Sequence, residues 1–320
     1  MEGADQLDTQ FREAVDAIDA GDVSKLDGLL TQNPDLVRDR LDSPGPWLRD
    51  KVGNALEGFF QRPYLLWFVA EDPVRNGKLP RNIAQVARTI IQAAKRNEAA
   101  SLQEQIDYAL RLVCWSWIAR QCGVQIELID VLLDSGASLD GRAVYQSRYG
   151  SHSDAAIYNQ NFDAARHLIA RGAPLTLTTA LSLELWPDVD RLLRDATLAE
   201  KQDAFVQAAL NGKAAALRYL LARGVNPTTV SERNQSHGTA LHHAVWSGSL
   251  EAVRVLVEAG ADLTRRDTIY DGTPLGWAMH AQQGQKESTP ETGNEEHQPG
   301  VRKQYREIAE YLREQGGKES

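Results

Sequence analysis

Residues 237–267 read HGTALHHAVWSGSLEAVRVLVEAGADLTRRD, and the apolar spacing inside this stretch decides the fold. Leu250, Val253, Leu256 and Val257 fall at i, i+3, i+6 and i+7, which places all four on one stripe of an α-helix. Working outward, the same stripe recurs upstream at Ala214, Leu217, Leu220, Leu221, then at Trp186, Val189, Leu192, Leu193 and at Phe162, Ala165, Leu168, Ile169. Further copies are Ile126, Ile129, Leu132, Leu133, then Ala84, Ala87, Ile90, Ile91, then Val23, Leu26, Leu29, Leu30. An eighth lies downstream at Tyr305, Ile308, Tyr311, Leu312.

The residues after each stripe are more specific than the stripe itself. Three residues beyond its last position comes Gly136, Gly172, Gly224 or Gly260 in four copies and Asn33 in the first, residue types that tolerate the left-handed conformation ending a helix. The glycines open similar tails, GASL, GAPL, GVNP and GADL, so helix end and exit loop recur together. The first stripe residues are 23, 84, 126, 162, 186, 214, 250 and 305, giving spacings of 61, 42, 36, 24, 28, 36 and 55. The regular spacing is that of a repeat array, and the departures mark insertions and one shortened unit.

Residues 271–280, DGTPLGWAMH, restate the opening of the first stretch, with Gly238 and Gly272 34 residues apart. Thr239 and Thr273 suit helix N-caps, and Pro274 suits a first helical position, where its missing N–H is not needed. These residues resemble the ankyrin repeat, in which a glycine and Thr-Pro-Leu-His start the first helix and Gly-Ala-Asp ends the second. Taken whole, the chain is similar to bacterial multi-ankyrin proteins that carry a junction like RRDTIYDGTPLGWA, a group with no assigned biochemical activity. The resemblance implies an all-α ankyrin-repeat solenoid of about seven to eight helix-turn-helix units, some degenerate, joined by short hairpin loops.

The expected organisation is a flexible N-terminus over 1–7 and a single solenoid over 8–316. A first repeat covers 8–34, and an enlarged, degenerate repeat with an insertion covers 40–107. Further repeats cover 108–140, 150–176, 178–202, 203–230 and 237–267, and a final one over 271–316 is split by a loop at 281–302. The 178–202 unit is short and has Pro187 near the start of its striped helix. Trp47, Phe59, Phe60, Tyr64 and Trp67 fall in the enlarged unit, as packing for a larger N-terminal cap. AQQGQKESTPETGNEEHQPG, over 281–300, is almost devoid of apolar residues and reads as a mobile loop.

Composition narrows the function. The 320 residues are 42% hydrophobic, enough for a sizeable core, and the net charge of −9 disfavours nucleic acid, which draws on clustered Lys and Arg. The opening MEGADQLDTQ is acidic and polar, so no export signal is expected. YLLWFVA (64–70) is far shorter than a membrane span, so no membrane partner is expected either. Cys114 and Cys122 are too few for a disulfide framework and read as two small buried hydrophobes, which suits a cytoplasmic protein.

Neither catalysis nor a cofactor is expected. His242 and His243 are neighbours pointing about 100° apart on a helix and have no third ligand at a recognisable spacing. The resemblance gives His242 an internal hydrogen bond. Gly150-Ser151-His152-Ser153-Asp154 holds the residue types of a hydrolase triad, but triads assemble across space, and Ser153 or Asp154 is expected to cap the helix containing Ala155 and Tyr158. Phosphate-loop, zincin and calcium-loop patterns are absent from the sequence.

The resemblance implies binding of a protein partner in a concave groove lined by the first helices and hairpin tips. The implied positions are Trp246 and Ser247, His280 and Ala281, Leu210 and Asn211, and Tyr158 and Asn159. The hairpin over 265–271 adds Arg265, Arg266 and Tyr270. Trp277 aligns with a consensus core leucine. The expected function is a protein–protein interaction module; the alternative is an immunity or inhibitor protein whose acidic surface neutralises a basic toxin or enzyme, and an enzyme is the third reading.

Overall fold

All eight striped segments form helices in the computed structural model, which describes residues 2–70, 78–141, 150–231, 237–283 and 299–319. Among the described residues the elements are helical and no strand occurs. The chain divides into two compact units, Met1–Pro174 and Leu175–Ser320.

In the first unit the striped helices are α2 (Val23–Gln32), α5 (Ile83–Arg96), α8 (Gln125–Asp134) and α10 (Phe162–Ala170). Each lies against the next in that order. Their stripes are buried: Leu26, Leu30, Ala84, Ala87, Ile90, Ile129, Leu132, Ala165 and Leu168 have essentially no solvent-accessible surface. Full burial of one of these leucine or isoleucine side chains contributes roughly 1.5–3 kcal/mol. A second row consists of α1 (Glu2–Ala20), α6 (Leu102–Trp115) and α9 (His152–Tyr158), with a tight 3₁₀ turn over Leu65–Val69 between α1 and α6. Short helices α3 (Asp35–Arg38), α4 (Pro46–Val52) and α7 (Trp117–Gln121) fill the connections.

The 3₁₀ turn explains the enlarged unit. It occupies the place of a first helix beside α5, and all five of its residues are buried. Phe60 meets Phe68 edge-on at 5.0 Å, Trp67 meets Tyr64 at 5.5 Å and Tyr108 at 4.2 Å, and the Arg40 guanidinium covers the rings of Tyr64 and Trp67 at 4.2 and 5.1 Å. Of the aromatics expected to pack there, Phe60, Tyr64 and Trp67 come together; Phe59 is 38% exposed, and Trp47 instead donates its indole N–H to Asp8 of α1.

Several local expectations change. α1 begins at Glu2, inside the segment expected to be flexible, since neither Pro nor Gly interrupts residues 4–20. α6 runs across the expected boundary at 107/108. Asn33 ends α2 at φ −128°, outside the left-handed region, because its side-chain amide donates to the Leu29 carbonyl instead. Gly136, Gly172, Gly224 and Gly260 do take positive φ, between 83° and 109°. The cap of α9 is Ser151, whose hydroxyl accepts the Asp154 N–H at 3.2 Å; Ser153, two residues on, is buried and bonded to Ser151. Cys114 is fully buried, which pushes its thiol pKa up, but Cys122 is only half-buried and receives the Leu79 N–H.

The second unit repeats the two-row plan more regularly. First helices α11 (Leu177–Ser182), α13 (Leu198–Leu210), α15 (Ala240–Trp246) and α17 (Pro274–Gln283) lie side by side in chain order. Second helices α12 (Trp186–Asp195), α14 (Ala214–Leu221), α16 (Leu250–Glu258) and α18 (Pro299–Glu314) carry the stripes. Pro187 sits in the first turn of α12, where a missing N–H is harmless, and Trp186 packs on Tyr219 of α14 at 5.1 Å. Of the expected loop 281–302, residues 281–283 extend α17 and residues 299–302 open α18 behind a Pro at its first position; residues 284–298 lie outside the described residues.

Candidate protein-binding surface

The hairpin between α16 and α17 is organised by one carboxylate. Asp267 Oδ1 accepts the backbone N–H groups of Ile269 (2.9 Å) and Tyr270 (2.7 Å), and Oδ2 accepts the N–H of Gly272 (2.9 Å) and the indole N–H of Trp277 (2.9 Å). Asp267 is 3% exposed. Burial alone would raise its pKa, but the four donors, led by Tyr270 N–H, prevail and hold it at about 2. Backbone bonds from Asp267 to Gly272 (2.9 Å) and from Thr268 to the His237 carbonyl (2.9 Å) close the turn, and Arg266 clamps its far side through the Asp271 carbonyl and carboxylate.

His242 joins this hairpin to α15. Its Nδ1 receives the Thr239 N–H at 3.1 Å, so that nitrogen is unprotonated and Nε2–H donates to the Gly272 carbonyl at 3.1 Å. Burial lowers the His242 pKa, which keeps the ring neutral and this tautomer in place. The internal hydrogen bond implied by the resemblance is present, and it reaches across to the next unit.

An aromatic cluster lies beneath. Trp277 stacks on His237 at 5.6 Å and meets His242, His243 and Trp246 edge-on at 5.2, 5.8 and 6.1 Å. Trp277 is thus partly buried against the core, as its alignment implied, and is also the donor that fixes Asp267. Among the described residues no group of three or more His, Cys, Asp or Glu is placed to hold a metal ion.

On this framework the apolar surface is exposed. Tyr270 is 75% exposed, Ile269 63% and Trp246 39%, three of the few large hydrophobic side chains so placed. Arg265 and His280 are also exposed. Ser247 is half-buried and caps α15, donating to the Ala244 carbonyl. Leu210 is 8% exposed and packs inward, so it presents no surface; Asn211 behind it is half-buried. Tyr158 belongs to the first unit, stacked on Trp115 at 5.2 Å. The hairpin therefore presents Arg265, Arg266 and Tyr270, while Trp246, the last residue of α15, meets Trp277 edge-on.

Asp267 and His237 are not among the expected binding residues, although Asp267 lies in the hairpin expected over 265–271. The Asp267 bonds to the N–H groups two and three residues ahead are an Asx-type turn, a pattern visible in Asp267-Thr268-Ile269-Tyr270. His237 joins through ring stacking, for which the sequence has no signal.

Residues 154–267 match the family model described as ankyrin repeats, in three copies. A Pyrobaculum aerophilum protein named as an ankyrin repeat protein is 40% identical over 86 residues, which cover 27% of this chain and 30% of the relative's length. An ankyrin repeat domain from Acinetobacter baumannii aligns at 25% identity over 66% of this chain and 99% of its own, and the human ASB11 ankyrin repeat domain at 17% over 75% and 98%, each with a TM-score of 0.34. Ankyrin repeats are generally protein–protein interaction modules. Among the described residues no helix is long and apolar enough to cross a membrane.

Proposed function

We propose, for a chain whose residues 154–267 match the ankyrin-repeat model, that it binds a protein partner through the hairpin over 265–272 together with Trp246 at the C-terminal end of α15. The observation that carries this reading is the pairing of a fixed backbone with exposed apolar tips. Asp267 holds the turn through four hydrogen bonds, two of them from the Ile269 and Tyr270 amides, while the side chains of those two residues project to solvent. A turn already ordered loses little conformational entropy on binding, and Tyr, Trp and Arg are the side chains that most often dominate interface energy. Tyr270 and Trp246 are the anchors, and Arg265 supplies charge at the rim.

No catalytic role or cofactor enters this function. The test is quantitative capture from the native cell with the full-length chain as bait. A specific partner retained by wild type and by Leu198→Ala, which removes an equally exposed leucine (69%) outside the hairpin, is lost from Trp246→Ala/Tyr270→Ala. A partner held equally by the double variant refutes the surface. A second reading, neutralisation of a basic toxin or enzyme, draws on the net charge of −9; rescue of cells from such a toxin by co-expression separates it from a scaffold.

A further inference from the structure

Thr239 and His242, three residues apart at the start of α15, have a counterpart at the start of α17 in Thr273 and Gly276. In α15 the histidine donates to a backbone carbonyl of the following hairpin, Gly272, at 3.1 Å. In α17 the histidine is gone and carbonyls arrive from a different source. The Thr273 hydroxyl donates to the Lys318 carbonyl at 2.6 Å and lies 3.3 Å from that of Glu319. The same hydroxyl oxygen accepts the Gly276 N–H at 3.0 Å, so it caps the helix and holds the segment together.

The position of Gly276 fits that segment closely. A Cβ at residue 276 would lie 3.2 Å from the Glu319 carbonyl oxygen, tighter than ordinary contact and against backbone rather than a movable side chain. A histidine here would collide with the stretch of chain lying over it. The segment is itself built to turn back. Gly316 takes φ +89°, with its N–H on the Arg313 carbonyl at 3.0 Å, and the Gly317 N–H bonds the Leu312 carbonyl at 2.8 Å. A Cβ at Gly317 would approach that same oxygen at 2.8 Å. Arg313 then closes the loop, pairing with the Glu319 carboxylate at 3.1 Å while reaching Met279 Sδ on α17 at 3.3 Å.

We propose that Gly316–Glu319 is an intramolecular strap that covers the edge of the α17/α18 pair, supplying in cis the backbone carbonyls that a following hairpin supplies to the unit before it. Gly276 replaces the histidine because the strap occupies the histidine's space. The strap therefore fixes the first turn of α17, the turn from which Trp277 reaches Asp267. This assignment stands independently of any partner bound at the hairpin.

Backbone amide hydrogen exchange on the full-length chain tests it, reading residues 273–277 against the amides of α15 as internal reference. Gly317→Val blocks the turn into the strap, and Glu319→Lys opposes Arg313 without touching the core. Release of the strap accelerates exchange at Gly276 and Trp277 about tenfold in Gly317→Val and severalfold in Glu319→Lys, with α15 unchanged, as expected for local opening. Gly276→Ala accelerates exchange by itself but adds nothing on top of Gly317→Val, because both act by displacing the same segment. Unchanged exchange in Glu319→Lys, or fully additive effects of Gly276→Ala and Gly317→Val, overturns the proposal. Should Gly317→Val fail to fold, the Glu319→Lys and Gly276→Ala results decide alone.

Discussion

Replacing Asp267 by Asn keeps the size of the side chain but gives it an NH₂ group where two N–H donors already point. Whichever way the amide turns, either the Ile269 and Tyr270 amides or the Gly272 amide and Trp277 indole face a donor. The carboxylate pKa, held at about 2 against an ordinary 3.8, sets the scale. A depression of that size corresponds to about 2 kcal/mol of stability. The sign follows from linkage: a carboxylate with a lowered folded-state pKa stabilises the fold fully above 3.8, and the contribution fades as pH falls toward 2. At pH 3 about half of it remains. Urea denaturation of wild type and Asp267→Asn at pH 7 and pH 3 measures both quantities. The expected gap between the two proteins is about 2–3 kcal/mol at pH 7, including the unpaired donors, and narrows by about 1 kcal/mol at pH 3. A gap below about 0.5 kcal/mol at pH 7, or one that does not shrink with acid, refutes the account of the hairpin.

Three other perturbations probe separate parts of the chain. His152 is fully buried in α9, and burial pushes its pKa down to about 4, opposed by Asp107 and a backbone bond with Ser138. It folds neutral, so its contribution is intact above about 6.5 and is lost as pH falls from there toward 4; His152→Gln flattens the stability profile of the first unit over that range by up to about 3 kcal/mol, measured by thermal melts at stepped pH. Arg40→Lys keeps the charge beside Glu104 but loses the planar contact over Tyr64 and Trp67, and lowers stability by roughly 1–2 kcal/mol in denaturant titration. His242→Ala removes the bridge to Gly272 and accelerates amide exchange in the 267–272 hairpin, detectable peptide by peptide.

The two rows of helices differ in how plainly the sequence encodes them. Second helices such as α16 bury Ala252, Val253, Val255 and Leu256 and expose the opposite face, so a stripe survives in the sequence. First helices lack that contrast: in α15 every residue from Ala240 to Val245 is buried, and a helix covered on nearly all sides has no amphipathic period. These helices were legible only through Thr239, Thr273 and Pro274 at their starts. The Leu65–Val69 turn was harder still, since a uniformly apolar run of five residues specifies burial without specifying shape.

For the proposed binding surface, residue type pointed to Trp246 and Tyr270, but packing decided which candidates reach solvent. Leu210 and Trp246 hold equivalent positions on neighbouring helices, yet Leu210 is covered and Trp246 is not. The difference lies in what stands beside each one in space. Asp267, whose charge alone suggests a solvated side chain, is a buried acceptor because its four donors converge only after the chain turns at Asp271 and α17 begins.

A partner-binding surface formed by the 265–272 hairpin and the end of α15 is tested most directly by calorimetric titration of the captured partner into the full-length chain. Two anchors contributing about 2 kcal/mol each predict that Trp246→Ala/Tyr270→Ala weakens Kd by about 1,000-fold, while Leu198→Ala leaves it within about twofold. Equal affinity for wild type and the double variant would contradict that assignment.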